Sequence, residues 1–240
     1  MKNKKDVLVF IQARLGSQRV KNKMLRPFCD SNLFDISVNK VLESDVPKEN
    51  FYVSVYEKEL KDIAEKHSVN IFNRSYESAI NDNSLQKIYE WHDKLPFKYA
   101  IMINGCCPML KVETINKFYR HYLESSHDGL FAVTKKRNYF WNEEGELITP
   151  WPKNQTIMNT KAVEPTFEAA MVFFAGRTDT IKDDIWMGSL RKKNDPELFI
   201  MKEEETFDID YEWQFQAAER LYSDPSVGLL TSDDPLNNIK

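Results

Sequence analysis

The chain has 240 residues, of which 42% are hydrophobic and 29% charged, and its formal net charge is −4. This apolar content can fill a sizeable core, and the mildly acidic, well-mixed charge argues against a nucleic-acid binder that depends on bulk positive charge. Glycine occurs only seven times, against roughly 17 expected from average usage, and no glycine-rich phosphate loop of the G-x-G-x-x-G or G-x-x-x-x-G-K-[ST] type is present.

Apolar runs of strand length alternate with helical patterns along the chain. Residues 7–11 and 51–55 are apolar almost throughout, which is typical of central strands buried on both faces. Strands are predicted at residues 7–11, 51–55, 71–72, 99–103, 130–133 and 170–174. Helices are predicted over residues 33–42, 60–64, 84–91, 112–122 and 211–222. This alternation predicts an α/β fold with a mostly parallel, Rossmann-like sheet.

The alternation of strands and helices breaks after residue 134. Residues 139–152 look like a hairpin whose turn lies at 143–145, and a polar stretch follows. We interpret residues 135–168 as a small β insertion into a single domain that spans residues 1–240, and as a candidate interface element. The last residues, rich in Asp, Pro and Asn, predict a loose tail.

The cysteines and the N-terminus indicate the compartment. The number of cysteines is odd, which suggests reduced thiols rather than a disulfide framework; they are Cys29, Cys106 and Cys107. The first apolar run, residues 7–11, is too short for a secretory segment or a membrane span. We therefore expect a cytoplasmic protein with no membrane and no nucleic-acid partner.

A basic loop follows the first predicted strand. Ligands of open α/β sheets bind beyond the carboxyl ends of the strands, so this loop is placed to meet one. Gly16 allows a tight turn there. The side chains suited to phosphate are Arg14, Ser17, Arg19, Lys21 and Lys23. A triphosphate-binding loop and a merely solvated basic loop are both compatible with this composition.

Two carboxylates stand close together near the C-terminus. Asp208 and Asp210 are separated by one residue, so on an extended segment they point the same way. Such a pair is costly unless a cation bridges it, and Mg²⁺ commonly takes one or two carboxylates plus substrate phosphates. The alternative is that Asp210 merely caps the helix that follows. Together with the basic loop, the pair indicates metal-assisted chemistry on a nucleoside tri- or diphosphate.

These motifs resemble the bacterial cytidylyltransferases that activate sugar acids such as sialic acids and Kdo as CMP-sugars. Residues 11–23 are similar to the family signature I-P-A-R-x-x-S-K-x-x-x-x-K-N, and closer still to I-Q-A-R-M-G-S-T-R-L-P-G-K-V-L of the spore-coat polysaccharide branch. Residues 104–110 resemble the Q-P-T-S-P-L-R and G-D-C-P-L-I turns, and residues 207–210 resemble the D-I-D segment. The stretch from Arg74 to Ser84 resembles R-P…A-x-D-x-A-S.

The resemblance implies a nucleotidyltransferase core and a set of residue roles. Arg14, Lys23 and Asp208 would be catalytic, and Asp208 and Asp210 would hold Mg²⁺. Asn104 and Glu168 would face the acceptor. The nucleotide, CTP, would be bound by Ala13, Arg14, Leu15, Gly16, Ser17, Arg19, Lys23, Arg74, Asp82 and Ser84. The insertion resembles the dimerisation segment of the sialic-acid branch, which implies a homodimer.

Four positions depart from the family pattern. Gln18 and Met24 replace a lysine and an asparagine of the signature, and Cys106 replaces the aspartate of G-D-C-P. Glu168 stands where the family has a neutral sugar-contacting residue, and its charge would repel an acidic acceptor. The prediction is therefore a Mg²⁺-dependent cytidylyltransferase for surface glycan synthesis that acts on a sugar acid.

Two other functions stay open. A glycosyltransferase could use Asp208 and Asp210 as its D-x-D motif, although that motif normally lies mid-chain. A non-catalytic nucleotide-binding homologue is the other, and the departures at Gln18, Met24 and Cys106 favour it. Pyrophosphate release from CTP separates both from the first prediction.

Overall fold

The computed structural model describes residues 1–81 and 83–224, so Asp82 and the tail predicted at the C-terminus lie outside the described residues. The strands are β1 (Val7–Gln12), β2 (Pro27–Phe28), β3 (Ser31–Asn32), β4 (Phe51–Val55), β5 (Asn70–Asn73), β6 (Tyr99–Ile103), β7 (Leu130–Lys136), β8 (Thr166–Arg177) and β9 (Glu197–Met201). The helices are α1 (Leu33–Leu42), α2 (Lys58–Lys66), α3 (Tyr76–Ile80), α4 (Leu85–Ile88), α5 (Val112–Glu124) and α6 (Glu212–Ser223).

The central sheet has seven strands in the order β5-β4-β1-β6-β8-β7-β9, and β2 pairs with β3 in a separate small hairpin. Within the central sheet β8 runs antiparallel to both of its neighbours, whereas every other adjacent pair is parallel. The prediction of an α/β fold with a mostly parallel sheet is therefore confirmed. All strands of this sheet except β8 end at the same edge, where a ligand is expected.

The apolar character of β1 is explained by cores on both of its faces. Val9 and Ile11 belong to the larger core, which also contains residues of α1, α5 and α6. Leu8 and Phe10, which point to the opposite face, belong to a smaller aromatic cluster with Trp91 and Trp186. Because both faces are covered, a continuous apolar run rather than an alternating one is what this strand needs.

Two elements differ from the sequence-based expectation. The helix predicted over residues 84–91 ends at Ile88, and the chain continues in turns that still bury Trp91 against Phe10 at a ring distance of 4.6 Å. β9 was not predicted, because this edge strand buries only part of its length and exposes Leu198 and Ile200. Packing within the fold, rather than local helical or strand patterning, determines both.

The boundaries predicted for the insertion are too wide. Residues 135–136 continue β7 and residues 166–168 begin β8, so that Lys136 pairs with Thr166 and the connecting segment is 137–165. The predicted hairpin within it is a turn with one isolated bridge, between Trp141 and Leu147. In the part of the chain that the structure describes, no helix combines the length and apolar character needed to cross a membrane.

Candidate active site

The loop that follows β1 forms one wall of a cleft of about 760 Å³ at the carboxyl edge of the sheet. The predicted nucleotide-binding residues that line this cleft are Ala13, Arg14, Gly16, Ser17, Arg19 and Lys23. Gln12, Tyr56, Glu57, Tyr76 and Cys106 line it as well, although they were not among the predicted site residues. Three cationic side chains on one wall give the cleft the character of an anion-binding site.

Lys23 is held inside this cleft rather than extended into solvent. Its ammonium donates a hydrogen bond to the carbonyl of Ile209 at 2.6 Å and lies 3.5 Å from Oδ1 of Asp210. Burial alone would lower the pKa of Lys23, but the neighbouring Cys106 and Asp208 outweigh it and raise that pKa. The ammonium is therefore charged at neutral pH, and the solvated-loop interpretation does not describe this residue.

One carboxylate oxygen of Asp208 accepts a hydrogen bond, and the other has no hydrogen-bond partner among the described residues. Asn104 donates its side-chain amide to Oδ2 of Asp208 at 3.2 Å and also to the carbonyl of Met171 at 2.9 Å. Oδ1 of Asp208 is enclosed and has no hydrogen-bond partner among the described residues. Burial raises the pKa of Asp208, against the opposing effect of Lys23. An enclosed, unpaired carboxylate oxygen is suited to a cation.

Asp210 faces the basic loop and does not act as a helix cap. Its Oδ1 accepts a hydrogen bond from Arg19 at 2.7 Å. The N-cap of α6 is Tyr211, and the side chain of Gln214 accepts from the backbone N–H groups of Asp210 and Tyr211 at 2.7 and 2.8 Å. The capping alternative is therefore wrong for Asp210, whose carboxylate is free of the helix terminus.

Cys106 links the turn after β6 to the two carboxylates. Its carbonyl accepts the N–H of Ile209 at 3.1 Å, which fixes residues 208–210 beside that turn. Burial raises the pKa of the Cys106 thiol to about 11, although Lys23 opposes this effect. The side chain that replaces the family aspartate is thus a neutral thiol next to the ammonium of Lys23.

The start of the loop is anchored by the N-cap residue of α2 and by α3. The backbone N–H of Leu15 donates to Oε1 of Glu57 at 2.8 Å, and Nη1 of Arg14 donates to the carbonyl of Ala79 at 2.9 Å. Sequence reasoning missed Glu57. Its position two residues past a predicted central strand was the signal that could have identified it, because β4 lies next to β1 in the sheet.

Arg74 lies in a second pocket, of about 280 Å³, that adjoins the cleft. It is 5% exposed, and burial together with the nearby charge of Arg14 lowers its pKa to about 10. Ser84 accepts the N–H of Lys87 at 3.4 Å and so caps α4, and it is absent from the lining of both cavities. Asp82, the third residue of this predicted group, lies outside the described residues.

Glu168 lies on β8 and shares its neighbouring lysine, Lys136, with the carboxylate of Glu203. Its carboxylate lies 3.5 Å from the ammonium of Lys136 and accepts a hydrogen bond from Thr134 at 3.5 Å. It does not line the cleft. Asn104, the other predicted acceptor residue, lies closer to the reacting groups because it bonds Asp208 directly.

Solved structures share this fold at low sequence identity. A CMP:2-keto-3-deoxy-manno-octonic acid synthetase complexed with CTP is similar with a TM-score of 0.62 at 13% identity, covering 91% of this chain and 98% of that one. A 4-diphosphocytidyl-2C-methyl-D-erythritol synthase from Anaerococcus prevotii gives 0.63 at 13% identity, with 91% and 96% covered. At these identities the likeness shows that the chain shares their fold.

The cytidylyltransferase family model matches residues 8–219, and this chain belongs to that family. Post-translational flagellin modification protein B of Campylobacter coli is 25% identical over 237 residues, covering 92% of this chain and 97% of that protein. Spore coat polysaccharide biosynthesis protein SpsF of Bacillus subtilis is 26% identical over 131 residues, covering 53% and 54%. The resemblance inferred from the motifs is confirmed, and membership of this family decides against the glycosyltransferase alternative.

Proposed function

We propose that this enzyme transfers CMP from CTP to a hydroxyl group of a sugar acid, with release of pyrophosphate, in the synthesis of a surface glycan. The observation that carries the proposal is the ammonium of Lys23, which is fixed by Ile209 in a cationic cleft beside Asp208 and Asp210. The names of similar proteins support the acceptor class, since one is a synthetase of a CMP-sugar acid and another acts in polysaccharide biosynthesis.

The cations of the cleft have distinct parts in this reaction. Lys23 stabilises the charge that grows on the α-phosphate and the departing pyrophosphate, because its position is fixed before the reaction begins. Arg14 and Arg19, which line the same cleft, bind the remaining phosphate oxygens. The acceptor hydroxyl attacks the α-phosphorus in line with the leaving pyrophosphate.

The residues present fit a divalent cation. Asp208 offers an enclosed oxygen without a hydrogen-bond partner, and Asp210 lies on the same segment. Among the described residues no group of three or more His, Cys, Asp or Glu side chains is arranged around a metal position. We therefore infer that Asp208 and Asp210 hold Mg²⁺ together with phosphate oxygens of the nucleotide. Bound there, Mg²⁺ supplies Lewis-acid polarisation of the α-phosphate.

The acceptor is proposed to lie on the β8 side of the cleft, next to Asn104. Lys136 lies 3.5 Å from Glu168 but also pairs with Glu203, so it offsets only part of the repulsion between this glutamate and an acidic acceptor. Hydroxyl acceptors without a carboxylate therefore belong in the same test as sugar acids.

The proposed reaction is tested by pyrophosphate release from CTP with Mg²⁺, over a panel of sugar acids and neutral sugars. We expect release with at least one sugar acid, together with tighter binding of CTP than of UTP or ATP in a parallel titration. Equal binding of the three nucleotides would contradict the base assignment. Tight CTP binding without release on any acceptor would favour the non-catalytic homologue.

We also propose that two copies of the chain associate through the segment 137–165. Its large apolar side chains are exposed in the single chain: Phe140, Trp141, Ile148, Trp151, Ile157 and Met158. So many exposed large apolar side chains within one segment favour an interaction surface there. The cytoplasmic location stays a prediction from the sequence.

A further inference from the structure

A separate pocket of about 480 Å³, here called the lysine pocket, lies between α1, the start of α5 and the end of α6. Among the described residues none lines both this pocket and the main cleft. The apolar residues that line it are Pro108, Met109, Leu110, Val112, Leu221 and Tyr222. A concave site with walls of this kind is suited to an apolar small molecule.

Lys40 of α1 places an amine against these apolar walls. Its nitrogen donates a hydrogen bond to the carbonyl of Pro108 and lies 5.4 Å from the centre of the Tyr222 ring. Burial lowers the pKa of Lys40 to about 8 and outweighs Glu205 and Glu43, whose charges raise it. A substantial fraction of this side chain is therefore the uncharged amine near neutral pH, and that form is the nucleophile.

The acidic residues of the lysine pocket restrict which electrophile can reach this amine. Glu43, Glu113 and Glu204 line the pocket together with the apolar residues. An acyl phosphate or a carboxylate-bearing carbonyl compound would bring a negative charge against these three carboxylates, which is unfavourable. The electrophile that fits is therefore an uncharged carbonyl compound whose body matches the apolar walls.

We propose that Lys40 binds an uncharged aldehyde with an apolar body covalently, as an imine on its side-chain nitrogen. The lone pair of the amine adds to the carbonyl carbon, and the two amine protons pass to the carbonyl oxygen. That oxygen leaves as water, so a C=N bond remains and neither an oxidant nor a reductant is consumed. The apolar walls keep water away from the imine and so oppose its hydrolysis.

The lysine pocket lies behind the turn that supports the two carboxylates of the main cleft. Pro108, which accepts the hydrogen bond of Lys40, belongs to the same turn as Cys106, whose carbonyl accepts the N–H of Ile209. An uncharged imine nitrogen has no proton to donate, so the hydrogen bond to Pro108 is lost when the aldehyde binds. A ligand on Lys40 thereby changes the support of the turn that holds residues 208–210.

The experiment treats the full chain with benzaldehyde and sodium cyanoborohydride, which reduces each imine to a stable benzylamine, and identifies the benzylated lysines by peptide mass spectrometry. At neutral pH we expect the initial rate at Lys40 to exceed that at the exposed Lys21 by about tenfold or more, since an amine in water, with a pKa of about 10.4, is almost wholly protonated. The ratio of the two rates falls as the pH is raised to about 10, because Lys40 loses its proton first.

Two comparisons show whether the pocket, and not the amine alone, selects the aldehyde. 4-Carboxybenzaldehyde has the same ring with a negative charge, so the preference for Lys40 over Lys21 should fall by about threefold or more. Leu221→Trp occupies part of the pocket and should slow the benzylation of Lys40 by about fivefold or more. Leu190→Trp is the matched control, because Leu190 is exposed and lies outside the pocket, and its rate equals that of the wild type.

Benzylation of Lys40 that is no faster than that of Lys21 would overturn the proposal. An equal preference for Lys40 with both aldehydes, or an unchanged rate in Leu221→Trp, would overturn it as well, because either result would mean that the walls and charges of the pocket play no part. None of these measurements uses CTP, so the outcome is separate from that of the proposed function.

Discussion

Lys23 carries the largest expected effect of any single side chain. Lys23→Ala removes the fixed ammonium beside Asp210 and the carbonyl of Ile209. We expect kcat to fall on the order of 10²-fold or more, the usual loss when one preorganised charge is removed from a reacting site. The measurement is the rate of pyrophosphate release at saturating CTP.

Lys21→Ala is the control for Lys23, because Lys21 is an exposed lysine of the same loop and lies outside the lining of the cleft. Its rate should stay within about twofold of the wild type, since an exposed charge is screened by solvent. Similar losses in both variants would mean that the loop acts by its overall charge and not through a positioned ammonium.

The sequence was sufficient for site residues that lie within one short segment. The basic loop and the pair Asp208 and Asp210 could be predicted because a strand end and a two-residue spacing determine their placement. Two other features could not be predicted: that Gln12 lines the same pocket as Arg74, and that Glu57 accepts a hydrogen bond from Leu15. Both depend on which strands are neighbours in the sheet. The neutral thiol of Cys106 beside Lys23 is a further contact that only the fold reveals.

At the scale of elements, glycine determines how one connection packs on the sheet. A Cβ built on Gly176 of β8 would collide with the backbone nitrogen of Met187 and lie 2.8 Å from Cδ1 of Trp186. The segment at 181–187 can lie this close to the sheet because residue 176 is a glycine and has no side chain. Its Trp186 ring packs against Phe174 with an interplanar angle of 11°.

Gly176→Ala should destabilise the protein by about 2 kcal/mol, because backbone on both sides must shift to admit one methyl group. Chemical denaturation with tryptophan fluorescence measures this change. Gly16→Ala is the control, since no atom lies within 4 Å of a Cβ built there, and its unfolding free energy should change by less than about 0.5 kcal/mol. Equal stability of both variants would refute the close approach at β8.

Prediction of the elements succeeded where the apolar pattern was strong and failed where packing overrides it. β4 and β6 have the predicted boundaries because both strands are almost fully buried. β9 escaped prediction because an edge strand exposes alternate apolar residues. β8 extends beyond its apolar run at its start. These first residues are exposed, and their backbone pairing with β7 is what makes them part of the strand.

For the whole molecule, the proposed association through segment 137–165 predicts a dimer in light scattering coupled to size exclusion. Ile148 and Ile157 are 63% and 70% exposed in the single chain. Ile148→Glu combined with Ile157→Glu should give a monomer, because two charges cannot be buried unpaired in an apolar interface. Leu190→Glu, equally exposed but outside the segment, should remain dimeric. A wild type that elutes as a monomer would contradict the proposal.

Segment 137–165 departs from Lys136 and returns at Thr166, two residues that pair at the ligand edge of the sheet. One stretch of chain therefore borders the candidate acceptor side and carries the exposed apolar surface. If both proposals hold, insertions, deletions or exchanges in it would alter acceptor choice and subunit self-recognition together. Among descendants of an ancestral enzyme these two properties would then be inherited as a linked pair, so a copy with a changed acceptor would also stop mixing with the subunits of its parent.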